Sequence, residues 1–354
     1  MILQESRTLK WIEDVSKRNH AADKTLVEKT IRALSLVEAL SRSGLDFCFK
    51  GGSCLLLHFG STRRLSIDAD IICPPGTDLE KHFGMYAEEY GFTSVVPVER
   101  VLRTGVPKTH AKYFYQASYK TNTAIDKILL DVLFEEVKYK TLEKLPITSP
   151  FLKTGGDDIM VTVPGKSDLL GDKLTAFAPH TTGIPFYKGG KNCSMEIIKQ
   201  MYDVASLFDV VDDFGVAAQT YRNLVKLELE YRHREGVLLE QVAMDAISAA
   251  QCISTYGVGD EKSFDFYTDG IDRVKNFIHS ERYIVPSAVR NAAKSAYAAA
   301  CLLKEIAVPK RYDGNPGTLR SLYVAAPLSN KLNKLKKTNP EAFFYWFQTY
   351  ELLK

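Results

Sequence analysis

Apolar residues recur at helical spacing through the first part of the chain. Over residues 23–44, Leu26, Ile31, Leu34, Leu36, Val37 and Leu40 fall on such a pattern and Gly44 ends it, which predicts a helix there and another over 5–19. The period then shortens. Phe47, Phe49, Ile67, Ile71 and Ile72 suit strands, and a sheet is expected to begin at Asp46 and run to about Cys73, where Pro74-Pro75-Gly76 stops it. A helix over 78–90 follows. Strands are expected over Phe92–Leu102 and Ala111–Tyr119, joined by a turn at Thr104-Gly105-Val106-Pro107, and over Asp126–Phe134. Residues 141–165 carry Pro146, Pro150, Gly155-Gly156 and Pro164 and read as a loop-rich junction. Beyond it the helical period returns at Lys166–Ala178, Glu196–Val211, Ala217–Arg232, Val237–Tyr256 and Val285–Ile306. The pattern gives an α+β fold: a sheet domain with N-terminal helices over 1–150, then a mostly helical domain over 151–354.

Length agrees, since 354 residues suffice for about two domains with cores of their own. Hydrophobic residues make up 45% and charged residues 25%, as in an ordinary globular chain. The net charge of +3 selects no partner, so a nucleic-acid site would have to be a local patch. Nothing resembles a spanning segment of about 18 apolar residues, and Met1–Arg7 lacks the apolar core of a secretion signal. Six scattered cysteines without a Cys-x-x-Cys pair point to buried thiols in a reducing cytoplasm. The seven histidines show no zinc-ligand spacing.

The chemistry concentrates in Lys50-Gly51-Gly52-Ser53-Cys54-Leu55 and Arg63-Arg64-Leu65-Ser66-Ile67-Asp68-Ala69-Asp70. The first run reads as a strand, a tight Gly-Gly turn and a helix starting at Ser53. Bare glycines let a phosphate approach, and orphan N–H groups at a helix start favour an anion. Asp68 and Asp70 are two apart on the expected second strand, so their carboxylates face the same way. Two such acids repel each other unless a cation lies between them, and a magnesium ion carrying a nucleoside triphosphate suits that place. Further on, Asp131 is an acid set in an apolar strand-like run, where an unpaired charge is costly. An edge-strand aspartate facing water is the structural alternative.

Together these residues resemble the DNA polymerase beta-type nucleotidyltransferase superfamily, and more closely the AbiEii/AbiGii toxin family. That family carries Lys-Gly-Gly-Thr/Ser-x-Leu followed by Arg-x-Ser-x-Asp-x-Asp, matched here at Lys50–Leu55 and Arg64–Asp70. The resemblance covers roughly 45–210 and fixes roughly eight positions. It implies a nucleotidyltransferase-type mixed sheet flanked by helices and an enzyme of the EC 2.7.7 type, the toxin of a type IV-like, abortive-infection toxin–antitoxin pair. Such an enzyme moves an NMP from an NTP to a hydroxyl with Mg²⁺ or Mn²⁺. Asp68, Asp70 and Asp131 would hold metal, Asp131 also drawing the proton from the attacking hydroxyl. Gly51, Gly52, Ser53, Arg64 and Ser66 would form the nucleotide pocket. Two further family motifs match at Lys173, which would hold the triphosphate, and at Lys199 with Asp203. Asp203 would orient Lys173 or a substrate hydroxyl. Related MenT-type toxins imply tRNA as the acceptor, and the antitoxin is expected to act without direct contact.

Bland readings stand beside these. Lys199 and Asp203 fit an exposed i,i+4 ion pair. The Gly-rich stretch Thr181–Cys193, with Lys188 and Lys191, reads as a surface loop, and Lys331–Lys337 as a solvated basic face ahead of a final core helix. Gly165-Lys166-Ser167 is no phosphate loop, because Met160 stands where that motif needs glycine. A transferase acting on a protein or an antibiotic-like small molecule, and a non-catalytic binding protein that keeps the fold, also remain compatible with the sequence.

Overall fold

The first two long helices form where the apolar spacing puts them. Thr8 caps α1 (Leu9–Arg18) by accepting from the Trp11 N–H, and Asp23 caps α2 (Lys24–Arg42) by accepting from the Leu26 N–H. Gly44, at φ +76°, ends the second. The computed structural model describes residues 1–60, 63–98, 108–119 and 124–354. The chain divides into two compact units. One comprises Met1–Pro164 with Asn276–Arg282, the other Gly165–Lys275 with Tyr283–Lys354.

In the first unit the elements after α2 are β1 (Cys48–Lys50), α3 (Gly51–His58), β2 (Ala69–Cys73), α4 (Glu80–Phe83), β3 (Phe92–Val98), β4 (Lys108–Gln116), β5 (Ile125–Phe134), β6 (Leu142–Pro146) and β7 (Met160–Pro164). The strands make one seven-stranded mixed sheet in the order β3-β4-β5-β2-β1-β7-β6. β2 runs parallel to β5 and β1 parallel to β7, while the other pairs are antiparallel. Helix α2 packs on β2, β5 and β7 and buries Val27, Ile31, Leu34, Val37 and Leu40. Its buried acids are satisfied: Glu28 accepts from the Ser118 and Tyr119 N–H groups, and Glu38 from Ile2 N–H and the Tyr90 hydroxyl.

Several local expectations need correction. Residues 141–165 are not simply a loop, because β6 and β7 lie there and β7 sits beside β1 inside the sheet. The five residues of β7, ending in Pro164, offer too short a run for alternation to show. The helix expected over 78–90 reaches only from Glu80 to Phe83, followed by Gly84 and turns. α3 opens at Gly51 rather than Ser53, and Asp68 immediately precedes β2 rather than lying on it. The expected turn at 104–107 and the end of the strand beyond Val98 lie outside the described residues.

The second unit holds α5 (Lys166–Ala176), a short hairpin of β8 (Tyr187–Lys188) and β9 (Lys191–Asn192), and the helices α6 (Ser194–Phe208), α7 (Phe214–Tyr231), α8 (Leu239–Ser254), α9 (Glu261–Val274), α10 (Val285–Leu303), α11 (Leu335–Thr338) and α12 (Pro340–Leu353). The alanine-rich Ala292–Ala300 stretch of α10 is buried, and α8, α12 and α6 pack around it. In α12, Phe343, Tyr345 and Trp346 are buried, as a final core helix requires. The cysteines are free thiols. Burial pushes those of Cys73, Cys252 and Cys301 up to about 12, which keeps them protonated and unreactive. No helix among the described residues is long and apolar enough to cross a membrane.

Candidate active site

Strand register builds the first part of the site. Lys50 on β1 aligns with Asp70 on β2, Asp70 with Asp131 on β5, and Asp131 with His110 on β4. Register partners on neighbouring strands project to the same face and stand about 5 Å apart. One transverse row therefore reads lysine, aspartate, aspartate, histidine. Asp68 lies two residues before Asp70, just ahead of the strand, with Ala69 buried between them.

The glycine pair fits this row by lacking side chains. Gly51 has φ +79°, and a Cβ placed on it would lie 2.2 Å from Asp70 Oδ2. A Cβ on Gly52 would lie 2.6 Å from Arg64 Nη2 and 2.9 Å from Ser66 Oγ. Glycine thus brings Asp70, Arg64 and Ser66 against the first turn of α3. The Arg64 guanidinium is buried and donates from Nη1 to the Leu65 carbonyl at 3.0 Å. Thr30 Oγ1 donates to the Ser66 carbonyl at 3.0 Å. Ser53 is wholly buried, and its hydroxyl donates to the Asp68 carbonyl at 2.5 Å. That hydroxyl therefore ties α3 to the backbone of the first acid, and what Ser53 can offer an anion is its N–H.

The approach to Asp68 is braced from far along the chain. The Leu65 N–H donates to the Phe277 carbonyl at 2.7 Å, and the Ser280 hydroxyl to the Arg63 carbonyl at 2.8 Å. Both partners lie in Asn276–Arg282, the segment that rejoins the first unit.

His110 and Lys50 are the members of the row that the sequence did not mark as site residues. His110 Nδ1 is in direct contact with Asp131 Oδ1. The Lys50 ammonium lies 5.7 Å from the Tyr139 ring centroid. Only the pairing of β4 with β5 reveals His110, and nothing near it in sequence carries that signal.

The donor set can be tested against a divalent ion. Among the described residues no group of three His, Cys, Asp or Glu side chains is arranged to hold a metal ion. Asp70 and Asp131 are neighbours by backbone, but the Asp131 carboxylate is turned to His110. Magnesium, however, is commonly held through one or two carboxylates, with substrate phosphates and water completing its octahedron. Asp68 and Asp70 supply two hard oxygen donors of that kind. The residues therefore fit an ion that arrives with a nucleotide, rather than a cage of three carboxylates formed beforehand.

The second unit holds the other expected site residues. Lys173 on α5 is 5% exposed and Asp203 on α6 1%. The Lys173 ammonium lies 3.4 Å from Asp203 Oδ2 and donates to Gln200 Oε1 at 3.3 Å. Asp203 is thus a buried partner of Lys173, not part of an exposed surface pair. Lys199 is half-buried on the same helix as Asp203.

A family model described as Nucleotidyl transferase AbiEii toxin, Type IV TA system matches residues 33–283. That span includes β1, α3, β2, β5 and the Lys173–Asp203 pair, and covers well over half of the chain. A comparison with curated proteins found no match.

Proposed function

We propose, from the premise that this chain belongs to the AbiEii nucleotidyltransferase toxin family, that it moves a nucleoside monophosphate from an NTP to a hydroxyl at the 3′ end of tRNA. The observation that supports the reading is Asp70 set against Gly51, with the Asp68 carbonyl tied to Ser53 on the same helix. A paired-acid edge beside a side-chain-free helix start suits a metal-bound triphosphate.

In this reading the α3 N–H groups at Gly52 and Ser53 donate to the phosphate tail, with Arg64 and Ser66 supporting that turn. Asp68 and Asp70 would hold a divalent ion, Mg²⁺ or Mn²⁺, which when bound neutralises phosphate charge and lowers the pKa of the attacking hydroxyl. The acceptor oxygen forms a bond to the α-phosphorus, the bond from that phosphorus to the bridging oxygen breaks, and pyrophosphate leaves with the electron pair. Asp131 takes the hydroxyl proton, and His110 orients its carboxylate. Lys173, whose ammonium contacts Asp203 and Gln200, is the lysine that the resemblance assigns to the triphosphate as a point charge. Little covalent work falls to the protein, since alignment and charge supply most of the rate. Action on tRNA places the enzyme in the cytoplasm, and the antitoxin acts without touching it.

The test is incubation with α-labelled NTPs and total cellular RNA, protein and metabolites. Label should enter RNA of tRNA size, and Asp68→Ala or Asp70→Ala should abolish both labelling and growth arrest. Label confined to protein or small molecules would move the acceptor to those classes. Absence of label from every fraction would leave a binding protein that keeps the fold.

A further inference from the structure

Residues 314–340 contain Arg320, Lys331, Lys334, Lys336 and Lys337 and no aspartate or glutamate, in a chain that carries 43 acids and a net charge of only +3. Neither acid that bounds the stretch pairs with one of these five cations. Asp313 accepts from the Asn315 N–H at 2.9 Å, and Glu341 pairs with Lys294 at 2.9 Å. Among the described residues none of the five cations forms an ion pair. The positive charge is therefore concentrated and uncompensated.

The surface is also built. Leu332 and Leu335 are buried, so Lys331, Lys334 and Lys337, each three residues from the next, are exposed together along the short helical run. Asn333 clamps the neighbouring loop to this run: its Nδ2 donates to the Val324 carbonyl at 2.8 Å, and its Oδ1 accepts from the Val324 N–H at 3.0 Å. Beside that clamp Tyr323 is 57% exposed, with the Lys336 ammonium 5.9 Å from its ring centroid. The same ammonium lies 5.1 Å from the buried Phe343 ring. An aromatic face is thus presented in fixed relation to a row of lysines.

We propose that Tyr323 with Lys331, Lys334 and Lys337 forms a docking surface for single-stranded nucleic acid. The lysines meet successive phosphates, and a base stacks on the Tyr323 ring. Plain anion attraction would need the lysines alone. The exposed ring, with Lys336 beside it and Asn333 bound to the adjoining Val324 backbone, is what selects a polymer with flat bases over a lipid surface or an acidic protein. This surface goes beyond the nucleotide-transfer reading and does not depend on it.

The experiment is fluorescence anisotropy with the full chain and an unstructured RNA of about 12 nucleotides, a length within known single-strand site sizes, at several salt concentrations. Asp68→Asn and Asp70→Asn are present throughout to prevent transfer. With three or four phosphates neutralised, the slope of log affinity against log salt is expected to be about −2 to −3. Changing Lys331, Lys334 and Lys337 together to Ala should weaken binding at least tenfold at low salt and flatten the slope by about 2. Tyr323→Ala should cost roughly tenfold while leaving the slope alone, and Tyr323→Phe should bind like the parent, because stacking needs the ring and not the hydroxyl. Far-UV circular dichroism checks that each variant stays folded. Unchanged RNA binding by the triple-alanine chain would overturn the proposal, as would anionic vesicles binding the parent where RNA does not. RNA binding here, together with no labelling of RNA, protein or metabolites by the parent chain with both acids intact, would sink the transfer reading and leave this surface standing.

Discussion

Gly51→Ala separates the position of the acid pair from the stability of the fold. At φ +79° an L-residue pays about 1–2 kcal/mol for the left-handed conformation. The added methyl would also stand 2.2 Å from Asp70 Oδ2 and 2.9 Å from its Cγ. No neighbouring carbon tolerates that separation, so the Asp70 carboxylate must swing away by an ångström or more. An off-rotamer side chain adds about 0.5–1.5 kcal/mol. The total of roughly 2–3 kcal/mol is a minor part of a stability of about 5–15 kcal/mol. The variant should therefore fold, with a melting temperature lowered by roughly 5–10 °C on the scaling for units of this size. Its transfer of α-labelled nucleotide should fall by about 100-fold, the size of effect expected from a catalytic group misplaced by about 1 Å. Gly52→Ala lacks the backbone term, and its methyl meets Arg64 and Ser66 instead, so it should lose less stability. Folding is followed by circular dichroism and activity by label incorporation into total RNA. Transfer within twofold of the parent in a folded Gly51→Ala chain would refute the claim that Asp70 acts from its place beside Gly51.

Three other perturbations test separate parts of the account. Lys173→Ala strands a buried Asp203 carboxylate and should cost about 3–5 kcal/mol in denaturant unfolding, whereas Lys173→Met with Asp203→Leu should recover most of that stability and none of the transfer; recovery of transfer would show that the pair is structural. His110→Ala frees the Asp131 carboxylate and should lower kcat by about 10–100-fold, as loss of a partner behind a catalytic group commonly does, with the KM for NTP little changed; an altered KM alone would contradict an orienting role. Burial pushes the Asp245 carboxyl up, against hydrogen bonds from the Thr181 hydroxyl and His180 N–H, so its contribution to stability is complete below the unfolded value of about 3.9 and is lost as pH rises through the folded value. Asp245→Asn should thus gain in melting temperature relative to the parent as pH rises from about 4 through the folded value, and a difference that shrinks with rising pH would reverse the sign.

The part of the site that was legible in the sequence is local in the chain. Gly51, Gly52, Asp68 and Asp70 announce themselves through spacing, because a turn and a two-residue repeat are short-range signals. What escaped depends on pairing between distant segments. His110 matters only because β4 lies beside β5 in a register that sets it against Asp131. The contacts of Phe277 and Ser280 with Leu65 and Arg63 leave no trace in local composition. β7 was hidden because Met160–Pro164 is too short to show a period, even though it lies next to β1. The contact of Asp203 with Lys173 is one that the family resemblance implied, whereas spacing within α6 pointed to Lys199 as the partner. Overreach had a local cause too: the polar and apolar residues over 78–90 can be fitted to a helical period, but Gly84 ends the helix after Phe83.

The claim on which the account rests is that Asp68 and Asp70 together hold the divalent ion that accompanies the nucleotide. Manganese titration followed by electron paramagnetic resonance, with and without a non-hydrolysable NTP analogue, measures that directly. The parent chain should take up Mn²⁺ in a nucleotide-dependent manner, and the chain carrying both Asp68→Asn and Asp70→Asn should take up none beyond the free nucleotide's own share. Equal Mn²⁺ uptake by the two chains would contradict it.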